Sequence, residues 1–161
     1  MKKYLKFASV LFGVIAVVMM FFTQVVVKFS TDHALAFKAL VGGEYTSGFN
    51  AGNKFAAAGN GSGLAGYILV GVGALIILIT VLLPLFKEHD ILSSVVTGIG
   101  VVCIIVGTIL IFLIRKSFAT ANMLDSAKVY VGWAAITAGS CASISAFLGS
   151  LGVVFDLAGN N

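Results

Sequence analysis

Apolar residues run along this chain in four long stretches, and charged residues fall only outside them. The acidic and basic side chains leave residues 7–27, 55–86, 91–114 and 129–155 without charge, stretches of 21, 32, 24 and 27 residues. An α-helix rises about 1.5 Å per residue, so roughly 20 apolar residues cross the roughly 30 Å hydrocarbon core of a bilayer. Every stretch is long enough. The pattern predicts an all-α membrane protein, a four-transmembrane-helix bundle forming one domain over residues 1–161, with spans at about 7–27, 64–86, 91–114 and 129–155. The first part of the second stretch, residues 55–63, is rich in Ala, Gly and Asn and reads as loop.

The polar connections complete the layout. The longest, residues 29–63, is predicted to lie outside the membrane. Ser30 or Thr31 is placed to cap a short surface helix over 32–41, with Gly42-Gly43 to end it. The glycine-rich remainder has no apolar period and reads as flexible loop. The turn Lys87-Glu88-His89-Asp90 is short enough to make spans two and three antiparallel neighbours. Pro84 falls in the last turn of span two, where few hydrogen bonds follow it. Span one reads as retained rather than as a cleaved signal, because a signal core is about 7–15 residues and the nearest Ala-x-Ala, at 34–36, lies well past the apolar end. The order of spans, long first loop, tight turn and second loop resembles the layout of claudin-like four-span proteins. Residues 29–63 hold neither the tryptophan nor the cysteine pair of a claudin first loop, and the resemblance carries no function with it.

Composition agrees with lipid as the solvent: 60% of residues are hydrophobic and 10% charged, against about 25% charged in soluble domains. The net charge of +4 is scattered, with no basic stripe to suggest nucleic acid. In sequence there is also no cluster of four or more Lys/Arg beside a span to suggest anionic-lipid binding. Lys2, Lys3 and Lys6 precede span one and only Lys28 closely follows it, which favours cytoplasmic N- and C-termini. Summed over all flanks, the count runs the other way, four against six. Nine lysines to one arginine suggest an AT-rich bacterial genome and a cell-membrane location.

Candidate chemistry is sparse. Gly61, Gly63 and Gly66 match G-x-G-x-x-G spacing, but that motif needs a preceding strand in a βαβ unit. Cys103 and Cys141 lie in mid-span, where cysteine serves as a small packing residue. His33 and His89 fall outside the spans, and Asn60-Gly61-Ser62 fits a glycosylation sequon. The predicted spans hold no Asp, Glu, Lys, Arg or His, the residues that mark proton and ion pathways. A serine nucleophile needs a base, and none is predicted at membrane depth. The expectation is a protein that is not an enzyme, with no catalytic residue, cofactor or metal.

Span four carries the sharpest pattern. At helical spacing Gly132, Ala135, Gly139, Ala142, Ser143, Ala146 and Gly149 gather on one side, with bulky residues such as Trp133 and Phe147 opposite. Small residues let helix backbones approach in lipid, so this side is the predicted helix-packing face. Shorter versions occur at Ser9, Gly13 and Ala16, and at Gly100 and Gly107. These features point to a structural or accessory membrane protein acting through helix packing and its first loop, on a copy of itself or on a membrane-protein partner. The alternative is a small oligomeric channel or transport subunit without intramembrane charge.

Overall fold

A computed structural model of the chain describes residues 2–28, 32–35, 37–46, 54–82 and 90–158. The elements run α1 (Lys2–Val18), a 3-10 turn (Met19–Phe21), β1 (Val25–Lys28), β2 (Asp32–Leu35), α2 (Lys38–Val41), β3 (Gly42–Thr46), β4 (Lys54–Ala58), α3 (Gly61–Leu82), α4 (Asp90–Phe112), α5 (Ile114–Ala121), a second 3-10 turn (Ser126–Lys128), β5 (Val129–Val131) and α6 (Trp133–Ala158). Four of these helices, α1 with its 3-10 extension, α3, α4 and α6, are long and apolar enough to cross a membrane. They close a ring in which α1 packs on α3, α3 on α4, α4 on α6 and α6 back on α1.

The outward faces identify the solvent. Leu75, Ile99, Val102, Ile109, Phe147 and Val154 are each more than half exposed. A chain of this size in water has no means of leaving so wide an apolar belt uncovered. The protein is a multi-span membrane protein, and lipid covers the belt.

Inside the ring, contact is made backbone to backbone. Gly66 and Gly73 on α3 face Gly107 and Gly100 on α4 as two reciprocal pairs. A Cβ on Gly73 would lie 2.5 Å from the Gly100 carbonyl oxygen, and one on Gly100 would lie 2.8 Å from that of Gly73. At the other pair the distances are 2.9 Å from Gly66 and 2.6 Å from Gly107. Each pair of glycines is seven residues apart, two helical turns, so the same stripe of each helix meets the other twice. Hydrogens stand where side chains would clash, aimed at carbonyl oxygens as in Cα–H···O contacts of roughly 0.5–1 kcal/mol each. Apolar attraction between helices is weak in lipid, so this closeness holds α3 to α4.

The connections hold more order than their composition suggests. Residues 22–27, assigned from sequence to span one, leave the helix. Val25, Val26 and Val27 form β1, which pairs antiparallel with β2 (Val25↔Leu35) and with β5 (Val25↔Val131, Val27↔Val129). Val25, Val27, Leu35 and Val129 are buried, so the small β2-β1-β5 sheet has its own apolar face. The segment expected as a single surface helix over 32–41 divides into β2 and the four-residue α2. Gly42 then takes φ 85°, a left-handed conformation open to glycine. The stretch read as flexible loop contributes the antiparallel pair β3–β4, with Gly42↔Ala58 and Thr46↔Lys54 at its ends. Asn122, just past α5, secures this pair: its Oδ1 accepts from Ala58 N at 2.6 Å and its Nδ2 donates to Ala58 O at 3.2 Å.

Span boundaries shift accordingly. Span two begins three residues early, at Gly61, because Asn60 caps the helix by accepting from the Gly63 amide at 3.1 Å. Part of the connection 115–128 is the helix α5, whose Ile114, Phe118 and Ala119 are buried. Its C-terminus closes as a Schellman turn, with Leu124 N donating to Ala119 O and Met123 N to Thr120 O. Pro84, His89 and the turn 87–89 lie outside the described residues.

Candidate functional site: polar layers inside the bundle

Polar side chains are buried at three depths, and each layer joins helices distant in sequence. At the end that carries both termini, Lys6 of α1 and Asp156 of α6 meet, 5% and 4% exposed, with Nζ 2.5 Å from Oδ2. The Lys6 ammonium also donates to Ser93 Oγ of α4 at 2.8 Å. Asp156 Oδ2 has no aligned hydrogen-bond donor, so the carboxylate is held by charge. Gly152 leaves the lysine its path, since a Cβ there would lie 3.0 Å from Lys6 Cγ. This pair corrects the expectation of charge-free spans. Helix α1 begins at Lys2 and α6 continues to Ala158, so both charges belong to the spanning helices.

Deeper in the bundle, Ser9 and Ser145 bond reciprocally: each hydroxyl donates to the other residue's carbonyl oxygen at 2.7 Å. Across the ring, Thr80 Oγ1 of α3 and Thr97 Oγ1 of α4 lie 3.2 Å apart. A buried hydroxyl costs about 1–3 kcal/mol when unpaired. These hydroxyls are paired, and each pairing fixes the register of two helices.

The third layer lies at the sheet end and centres on Gln24, which is fully buried. Its Nε2 donates to Met19 O at 2.6 Å and Phe22 O at 3.1 Å, and its Oε1 accepts from Tyr67 of α3 at 2.5 Å. Its backbone N donates to Leu35 O and its backbone O accepts from Gly132 N. A single glutamine thus ties the end of α1 to α3, to β2 and to the start of α6. At the start of α3, Asn60 Nδ2 donates to Ile114 O at 3.0 Å, and Asn60 Oδ1 accepts from Ser62 and Ser117. The sequon amide is therefore buried and bonded.

The predicted face of span four divides as follows. Ala135, Gly139, Ala142, Ala146 and Gly149 are buried, together with Ala134, Ala138, Ser145 and Gly152. A Cβ on Gly139 would lie 2.6 Å from the Phe112 ring, and one on Gly149 would lie 2.7 Å from Val101 Cγ2. Gly132 is buried before the helix begins, against the Thr23 and Gln24 backbone. Ser143 lies exposed. Cys103 and Cys141 are free and half-buried. The His33 side chain lies outside the described residues. The G-x-G-x-x-G glycines open α3, where Gly63 and Gly66 are packing positions. Among the described residues no group of three or more His, Cys, Asp or Glu stands together. No protein-family model, curated protein or solved structure matches this chain.

Sequence reasoning missed Lys6, Asp156 and Gln24. A span drawn between charges excludes the charges that bound it, and Gln24 stands out in sequence only as one polar residue near the end of span one. The available signal was periodicity. Lys6, Ser9 and Gly13 continue one side of α1, and Asp156, Gly152, Gly149 and Ser145 continue one side of α6.

Proposed function

We propose that the protein is a non-catalytic structural or accessory component of the cell membrane. Its helices form a fixed body that carries the segment 29–63 and the sheet at one end. Both termini lie in the cytoplasm, the sheet end faces outward, and the source is a bacterium. The observation that carries this reading is the pairing of interior polar side chains with one another across helices. Lysine meets aspartate, serine meets serine, threonine meets threonine, and glutamine meets tyrosine. Groups bonded in this way set helix register and lend themselves to no chemistry. The buried small residues of α6 serve the bundle itself, which leaves association with a second copy or a membrane-protein partner to the sheet end and the outward faces.

The test uses a chain with Cys103 and Cys141 changed to Ala and Met123→Cys added, because Met123 is 97% exposed at the sheet end. Intact cells are labelled with a membrane-impermeant maleimide, and the labelled species is then sized in mild detergent. We expect labelling without lysis and the mass of one chain or a small fixed complex. Labelling only after lysis would reverse the orientation. A ring of many copies would replace the accessory reading with that of an oligomeric channel.

A further inference from the structure

We infer that the sheet end carries a binding surface for the phosphate of anionic lipid headgroups, formed by Lys28 and Arg115 over the ring of Tyr130, with Lys128 at the start of β5 and Lys116 next to Arg115. These cations are scattered in sequence, and the fold collects them. The β1–β5 register sets Val26 opposite Tyr130 and Val27 opposite Val129. Lys28 is two residues past Val26, so it projects on the same face as Tyr130. Its Nζ stands 4.9 Å from the ring centroid. Lys128 immediately precedes β5 beside it. Arg115, in the first turn of α5, brings its guanidinium carbon to 5.9 Å from the same centroid. Its Nη2 donates to Ser126 O at 2.8 Å, which fixes the side chain over the ring. Lys116 follows it, exposed.

Charge and depth together select the ligand. All four cations are exposed, and the buried ion pair Lys6–Asp156 lies at the opposite end. Two carboxylates are near in the chain. Asp125 is turned onto the Ala127 amide, and Asp32 stands across the ladder from Lys28. Two acids against four grouped cations leave an uncompensated positive surface, which draws anions. The depth of this surface is marked by aromatic residues. Trp133 opens α6 and lies 5.6 Å from the Phe22 ring, both about half exposed, as aromatic side chains stand at the headgroup boundary. Tyr130 is three residues from Trp133, about 10 Å along a strand, and Arg115 is three residues past the end of α4. The cations therefore stand on the water side of the aromatic boundary, within about 10 Å of Trp133 and in reach of the layer where lipid phosphates lie. A soluble polyanion would reach the same charges only from the water side.

Trp133 is the single tryptophan of the chain and adjoins the surface, so it reports on the lipid beside it. The protein is reconstituted in phosphatidylcholine vesicles containing brominated phosphatidylglycerol or brominated phosphatidylcholine. Quenching of Trp133 then gives the relative binding constant of the two lipids. We expect a preference of about five-fold or more for phosphatidylglycerol, since one interfacial cation contributes about that factor. The preference should collapse toward one in 0.5 M salt (about a 4 Å screening length). It should collapse likewise in the Lys28→Gln, Arg115→Gln, Lys116→Gln, Lys128→Gln variant. Equal quenching by the two lipids in the unaltered protein would overturn the proposal, as would a preference that survives both salt and the quadruple variant. Loss of the preference on adding roughly 10 mM inorganic phosphate at constant ionic strength would assign the surface to a free anion and overturn the lipid assignment.

Discussion

Changing Asp156 to Asn or Lys6 to Met destabilises the bundle by about 3–5 kcal/mol, because either change strands the other charge in a buried site. The pair closes the ring between first and last spanning helices, 2.5 Å apart and about 95% buried, so water does little to screen it. Ser93 supplies one further acceptor to Lys6, which deepens the dependence of three helices on this point. The double change Lys6→Met with Asp156→Leu has a different expected outcome. Well-packed apolar residues in place of a buried pair are often neutral or stabilising, so the double variant should recover most of the loss. Thermal unfolding in mild detergent separates the cases. If Asp156→Asn alone melts with the unaltered protein, the two charges are hydrated and the pair contributes no closure. If the double variant melts no higher than the single ones, the pair supplies something that apolar packing does not replace.

The second large effect separates two glycines two residues apart on the same helix. Gly100→Ala places a methyl 2.8 Å from the Gly73 carbonyl oxygen and 2.9 Å from Ile77 Cγ1. The oxygen belongs to a backbone that is itself pressed against α4, so neither side can yield locally. Overpacking of this kind costs about 1–3 kcal/mol. Gly98→Ala meets nothing within 4 Å. There the change removes a flexible glycine from a helix interior and is worth about 0.5–1 kcal/mol in favour of the variant. The expected melting order is Gly98→Ala at or above the unaltered protein and Gly100→Ala clearly below it. Equal melting of the two variants would mean that α3 and α4 do not approach at this seam. Gly73→Ala should behave like Gly100→Ala, since its added Cβ would lie 2.5 Å from the Gly100 carbonyl oxygen.

The spans were legible because lipid imposes a coarse rule, about twenty residues without charge, that survives ignorance of every neighbour. The sheet was not legible, and Val25-Val26-Val27 shows why. Three valines at the end of an apolar run satisfy a helix in lipid and a buried strand equally well. What decides is the presence of Val129 and Val131 a hundred residues later, opposite them in the ladder. The β3–β4 pair is still less visible, since Gly42, Gly43, Ala56 and Ala57 have little strand preference of their own and pair through tertiary context. The small face of span four was drawn from spacing alone, and Ser143 shows its limit. Spacing places it at the edge of the cluster, and the position of the neighbouring helices leaves it exposed. Gly66 and Gly73 matter for a partner helix that sequence does not specify atom by atom. Lys6 and Asp156 come together through the closure of the whole ring, which no local pattern reports.

That closure, within a bilayer, is the claim on which the rest depends, and Ser9 and Ser145 offer the most direct access to it. Their hydroxyl oxygens stand 3.2 Å apart in α1 and α6. With Cys103 and Cys141 changed to Ala, the pair Ser9→Cys and Ser145→Cys is oxidised in membranes already washed with alkaline carbonate. The expected product is an intramolecular disulfide in a chain that stays with the membrane. A chain released by the wash, or one retained there with both thiols still free, would contradict it.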